Sequence, residues 1–208
     1  MPDLIMRSSP LDPKAESLLE GLIAEYDGRY GINSRPGGAR SEILRYPPEA
    51  FAPPLGDFLL LRRGDETIAG GAFMSHDDET VELKRIWTRD GLRRQGLARR
   101  IVLALEEAAA QLGYTRAYLT TGFRQPEATG LYLSLGYRPL FDVNVDPTLY
   151  RSLPFEKHIG AKAGTAGRTL AYEPAASLDE ATARVAAIKA AQEAKIAARL
   201  AAHSVAAA

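Results

Sequence analysis

Arg89-Asp90-Gly91-Leu92-Arg93-Arg94-Gln95-Gly96-Leu97-Ala98-Arg99 lies between a run of strand type and a run of helix type, and its reading decides the fold. The run before it, Val81 to Thr88, is of strand type, and after it Leu97, Ile101, Leu105, Ala108 and Leu112 recur at helical spacing. A turn of this kind aims several backbone N–H groups at one point. The first donors of the helix have no internal acceptor and the positive end of its dipole adds to the same spot, so a diphosphate can be held there without a dedicated lysine. Gly96 and Ala98 leave room for the approach, although a lone glycine at such a turn also has a purely geometric reading. The arginines around it point the same way, because cations at a helix N-terminus oppose the dipole unless an anion is present.

Outward from this turn the chain alternates strand and helix. Leu4 to Arg7 is a short apolar run, and Asp12-Pro13 then opens a helix carrying Leu18, Leu19, Leu22, Ile23 and Tyr26 before Gly28. Residues 28–57 are rich in Pro and Gly and read as loop, with a short helix near Ser41 to Leu44. Phe58–Leu61, Thr67–Met74 and Val81–Thr88 read as an antiparallel meander, with Gly70-Gly71 marking a bulge or close packing. The helix after the turn stops at Gly113. Ala117–Thr121 is a further strand, Gln125-Pro126 opens a short helix ending at Gly136, and Tyr137–Val143 and Leu153–Ile159 read as closing strands.

Composition excludes more than it identifies. Of the 208 residues, Lys+Arg and Asp+Glu number 26 each, so no net charge draws the chain to nucleic acid or an anionic membrane. No cysteine occurs, which removes disulfides, thiolate metal sites and a cysteine nucleophile together. His76, His158 and His203 are widely spaced, so no metal site is expected. No basic segment followed by an apolar core opens the chain, and no apolar run approaches the roughly 20 residues that span a bilayer. The expectation is a cytoplasmic protein, with His76 as polar surface.

The stretch from Glu82 to about Lys157 resembles the GNAT superfamily of acyl-CoA-dependent N-acyltransferases. Arg93, Gly96 and Ala98 match the phosphate-binding signature of that family. Gln125, Ala128, Leu131-Tyr132 and Leu135-Gly136-Tyr137 are similar to its second block at the same offsets, with Gln125 in place of the usual asparagine. The resemblance implies an α/β fold (α+β by some schemes). Its central sheet is mixed and mostly antiparallel with a splayed parallel strand pair, Val81–Thr88 and Ala117–Thr121, and helices lie on both faces.

It also implies a site. Acetyl-CoA enters as co-substrate. Backbone groups of Ile86, Trp87 and Thr88 pair with its pantetheine arm, and the diphosphate sits on the N–H groups of Arg94, Gln95, Gly96, Leu97, Ala98 and Arg99. Arg93, Arg94, Arg99 and Arg100 are available to the phosphate oxygens, and Gln125 reaches the pantetheine or caps its helix. Tyr132 stands as the acid that protonates the leaving thiolate, against a reading as a core aromatic. Glu82 stands as the base for the substrate ammonium, against a reading as an ordinary strand carboxylate. The acceptor side is built by residues 26–57 and 141–152, where Tyr30, Arg35 and Arg40 are candidate substrate contacts and an arginine suits an acceptor bearing a carboxylate.

Beyond the resemblance, residues 161–176 read as a small-residue linker after a domain of residues 1–160. Ser177-Leu178-Asp179-Glu180 then opens an alanine-rich helix over 177–206 by a capping box. Leu178, Val185, Ile196 and Leu200 fall near one stripe that Lys189 and Gln192 interrupt; a dimer arm, a strap over the parent domain and a bare appendage are all open readings. The expected function is N-acetyl transfer to a primary amine of a small molecule. A protein or peptide acceptor, or a non-catalytic acyl-CoA-binding module, are the alternatives, and a homodimer is the expected partner besides substrate.

Overall fold

The computed structural model describes residues 2–32, 37–165, 167 and 171–206. They fall into two compact units, Met1–Ser75 with Leu83–Gly113, and His76–Glu82 with Tyr114–Ala208.

In the first unit, β1 (Leu4–Arg7), β2 (Gly56–Arg63) and β3 (Glu66–Ser75) form antiparallel ladders, with Leu4 opposite Arg62 and Leu59 opposite Gly71. β4 (Thr80–Thr88) follows, its residues from Leu83 on belonging to this unit and Thr80–Glu82 to the second. Helix α1 (Glu16–Tyr30) is entered through a single 3₁₀ turn, at whose start Asp12 accepts from the Lys14 N–H. It buries Leu18, Leu19, Leu22 and Ile23 and ends at Gly31, not at Gly28 as expected. The reason is conformational: Gly31 has φ 89°, whereas Gly28 is an interior helix glycine, which costs only about 1 kcal/mol relative to alanine. The short helix α2 (Gly38–Ile43) is tied to α1 by Asp27, which accepts from the Ala39 N–H at 3.0 Å.

Gly70 and Gly71 are there for packing. Neighbouring strand residues face opposite sides, and each glycine is pressed from its own side. A Cβ on Gly70 would fall 2.4 Å from Leu18 Cδ1 of α1, and one on Gly71 would fall 3.0 Å from Ile101 Cγ2 of α3 (Leu97–Gln111). The two helices therefore cover opposite faces of this sheet. The irregularity in register lies beside the pair, between Leu61 and Arg62 of β2.

In the second unit, β5 (Arg116–Gly122) pairs antiparallel with β7 (Ser152–His158), Tyr118 opposite Glu156 and Leu119 opposite Phe155. Its start is held to the residue before β4, since the N–H groups of Thr115 and Arg116 both donate to the Glu79 carbonyl. Helix α4 (Pro126–Ser134) follows β5. The strand order is β1-β2-β3-β4-β5-β7-β6, β6 being Arg138–Pro139, in a mostly antiparallel sheet with one parallel pair. The strand expected over 137–143 shrinks to β6 (Arg138–Pro139). After it Phe141 turns to a parallel bridge with Tyr172, and Asp142 accepts from the Asn144 N–H in a local turn.

Helix α5 (Leu178–Ala206) begins as its capping residues predict: Ser177 Oγ accepts from the Glu180 N–H, and Glu180 Oε2 accepts from the Ala176 N–H at 2.9 Å. The buried stripe differs from the expected one. Ala181, Gln192 and Ile196 are buried, whereas Leu178 is 47% exposed. The helix lies on its own unit through Arg199, 2.7 Å from Asp78, and the segment before it is tied by Tyr172 N–H to Leu140 O and Ala175 N–H to Leu149 O.

Candidate active site

The turn between β4 and α3 has the backbone its sequence demands. Gly91, Arg94 and Gly96 all have positive φ, 82°, 64° and 75°. Arg100 N–H donates to Gly96 O at 3.0 Å as the first helical bond, so the N–H groups of Leu97, Ala98 and Arg99 precede any partner within the helix. Nothing lies within 4 Å of where a Cβ on Gly96 would stand, and residues 93–96 are exposed. The arginines are not equivalent. Arg93 donates to Glu25 of α1 at 3.1 Å and Arg100 to Asp3 at 2.8 Å, both in solvent-exposed ion pairs. Those carboxylates also answer the dipole objection by neutralising two cations beside the helix start. Arg94 and Arg99 remain exposed at the turn.

Along β4 the side chains divide between the helices. Ile86 Cδ1 reaches the Gly71 position on the α3 side, and Trp87 packs against Gly21 of α1, where a Cβ would come 2.5 Å from Nε1. Thr88 Oγ1 is buried without a hydrogen-bond partner. Arg85 has φ 60° in mid-strand, an uncommon conformation for a non-glycine residue.

In the second unit Glu82 is buried in a ring of polar aromatics. His76 Nδ1 lies 4.0 Å from Glu82 Oε2 and itself has no hydrogen-bond partner, and the His76 ring stands 5.1 Å from that of Tyr118. Burial pushes the Tyr118 phenol far above its usual range, helped by its hydrogen bond with Tyr172 and by the Glu82 carboxylate, so Tyr118 stays protonated. His76 is thus half-buried, with Nδ1 turned into this cluster, and more enclosed than the polar surface its turn position suggested.

Tyr132 is also buried, its ring 5.6 Å from that of Tyr137 and 5.9 Å from that of Phe155. Tyr118 and Phe155 sit on opposite faces of the β5–β7 ladder, because Phe155 pairs with Leu119. Glu82, beside Tyr118, and Tyr132, on Phe155, therefore lie on opposite faces of that ladder. Gln125 neither caps α4 nor leaves its carbonyl free: Oε1 accepts from the Gly122 N–H at 3.0 Å and from Thr121 Oγ1 at 3.1 Å, locking the turn after β5.

Of the candidate substrate contacts, Tyr30 closes α1 with its ring 6.1 Å from that of Tyr26. Arg40 holds Glu20 on the exposed surface at 2.7 and 2.8 Å, and Arg35 lies outside the described residues. Sequence reasoning missed His76, Tyr118 and Arg85. No local signal marks them, because their roles come from burial and from a backbone angle. Among the described residues no His, Asp and Glu group is placed to hold a metal ion, and no helix is long and apolar enough to cross a membrane.

Residues 20–137 match the model of the acetyltransferase (GNAT) family. YjgM of Escherichia coli K12, an uncharacterized N-acetyltransferase, is 26% identical over 120 residues, covering 56% of this chain and 72% of that protein. A proposed acyl-CoA N-acyltransferase of Klebsiella pneumoniae superposes with TM-score 0.57 at 24% identity, over 76% of this chain and 97% of the other. The PaiA N-acetyltransferase of Thermoplasma acidophilum, solved in complex with coenzyme A, superposes with TM-score 0.55 at 16% identity, over 76% and 99%. At these identities the solved structures speak for the fold.

Proposed function

The chain belongs to the acetyltransferase (GNAT) family and is an N-acyltransferase, and on that premise we propose that it moves an acetyl group from acetyl-CoA to the primary amine of a small molecule, an amino acid or an amine metabolite. The observation that carries this reading is the open turn at Gly96, whose helix start presents N–H groups that no carbonyl of the helix can take. A diphosphate suits it. The pantetheine arm then runs along the backbone of Ile86, Trp87 and Thr88.

Transfer is direct, in a ternary complex. The neutral amine attacks the thioester carbonyl carbon, the C–S bond breaks as the tetrahedral intermediate collapses, the thiolate takes a proton from Tyr132, and the N–H proton made acidic by the attack leaves the nitrogen and, through solvent, restores the Tyr132 phenol. Glu82, buried beside Tyr118 on the face of the β5–β7 ladder opposite Tyr132, receives the proton of the substrate ammonium. Thiol release from acetyl-CoA across a panel of primary amines tests the reading. Turnover with small amines supports it. Tight acetyl-CoA binding with no turnover on any amine, peptides included, would make this a binding module instead.

A further inference from the structure

Most arginines of this chain whose contacts are described meet a carboxylate, as Arg7 meets Asp57, Arg63 meets Asp3 and Arg138 meets Glu156. Arg85 does not. Its guanidinium lies over the Phe51 ring, 4.1 Å from the centroid, and Nη2 donates to the Ile43 carbonyl at 2.5 Å. Nη1 is buried with no hydrogen-bond partner. Burial pulls the proton affinity of Arg85 down to about 10, and no anionic carboxylate opposes that shift. The group is still charged at neutral pH, in a place where a cation without a counter-ion is costly.

The backbone angle makes the arrangement deliberate. Successive residues of a regular strand face opposite sides, yet Lys84 and Arg85 both meet the segment that follows α2: Lys84 Nζ stands 4.9 Å over the Tyr46 ring, and Arg85 rests on Phe51. The φ of 60° at Arg85 is what brings two consecutive cations to one wall. Ile86 then turns to the α3 side and Trp87 to α1, so Arg85 shares the α1–α2 side, away from α3. Strain of this sort persists where the surroundings over-determine it, and such places are often ligand sites.

We propose that Lys84 and Arg85 form a carboxylate-binding site, walled by Tyr46 and Phe51, that selects a reactant carrying an anionic group next to the transferred acetyl; it rests on the acetyl-transfer reading above. Nη1 is closed to solvent, while the residue as a whole is only half-buried. A carboxylate reaching its open part supplies the counter-charge. The side of the strand assigns it to the acceptor, which makes the acceptor an amino acid or a related amino carboxylate. A dicarboxylic acyl group on the coenzyme offers the same chemistry.

The test compares each common L-amino acid with its methyl ester as acceptor for acetyl-CoA, per concentration of free amine because esterification lowers the amine's own pKa. Succinyl-CoA with the esters forms a second arm. The wild type should favour acid over ester by about 10- to 100-fold in kcat/KM, as expected for a hydrogen-bonded charge pair. R85Q should bring that ratio close to one with acetyl-CoA affinity unchanged. Preference for succinyl-CoA that R85Q removes would place the carboxylate on the acyl group and keep the site. Equal use of acids and esters by the wild type, with no succinyl preference, overturns it while leaving acetyl transfer intact. Should no amine turn over, calorimetric binding of the acids and esters to coenzyme-loaded wild type decides: selective binding of acids supports the site, and none refutes it. Neither wild-type measurement depends on R85Q folding.

Discussion

His76 Nδ1 stands 4.0 Å from Glu82 Oε2, and both the nitrogen and the carboxylate are buried although the His76 ring keeps an exposed edge. The pair is assembled by one turn: His76 closes it with its N–H on the Thr80 carbonyl, and Glu82 follows two residues later on β4. A carboxylate kept from water beside a histidine and a tyrosine is suited to proton transfer.

Replacing Glu82 with Gln keeps its shape and removes its basicity. We expect kcat/KM to fall by about 10²- to 10⁴-fold, the usual worth of a general base, with acetyl-CoA affinity retained. Thiol release and calorimetry on the same preparation read both. Undiminished turnover would assign proton removal to another group.

Tyr132→Phe removes one hydroxyl from a ring that keeps its contacts with Tyr137 and Phe155. The expected result is a drop in kcat of about 10²-fold with a stability change of about 1 kcal/mol. A loss of stability without loss of rate would mark Tyr132 as a core aromatic only.

Gly70→Ala and Gly71→Ala force a methyl to within 2.4 Å of Leu18 and 2.6 Å of Ile86 respectively. Overpacking of this kind costs about 1–3 kcal/mol, and in a chain of this size each kcal/mol lowers Tm by about 2–4 °C. Thermal unfolding of the two variants checks it. Gly96→Ala meets no atom, so its cost comes from φ 75° alone, and it should also weaken coenzyme binding.

Ile196 on α5 is 1% exposed whereas Ile188 is 42% exposed. Ile196→Ala should cost about 2–5 kcal/mol and Ile188→Ala no more than about 0.5 kcal/mol. Equal effects in thermal unfolding would mean that α5 does not pack on its own chain in solution.

Asp3 accepts from Arg63 and Arg100, which hold its carboxyl down at about 2. A depressed native value means stabilisation that is complete above the unfolded value of 3.8 and lost as pH falls toward about 2. The Tm gap between wild type and Asp3→Asn should therefore be full near neutral pH and close across that acid window. A gap independent of pH would remove the linkage.

The sequence by itself determined the order of strands and helices, the open turn at Gly96 and the start of α5. Each depends on contacts within a few residues: period-two or helical apolar spacing, a glycine required at positive φ, a serine and a glutamate three apart. Where the partner is distant in the chain, the tertiary structure decided. Tyr137–Val143 has strand composition, but Phe141 finds Tyr172 and the ladder stops after Pro139. Gln192 is polar yet buried, because what covers it comes from outside the helix. Arg93 and Arg40 meet Glu25 and Glu20, 68 and 20 residues away, pairings that only the folded chain makes. Arg85, with nothing in its neighbours to single it out, became the buried cation without a counter-ion only once β4 turned it onto Phe51. Charge compensation is a property of space, and a linear pattern carries no record of which opposite charge arrives.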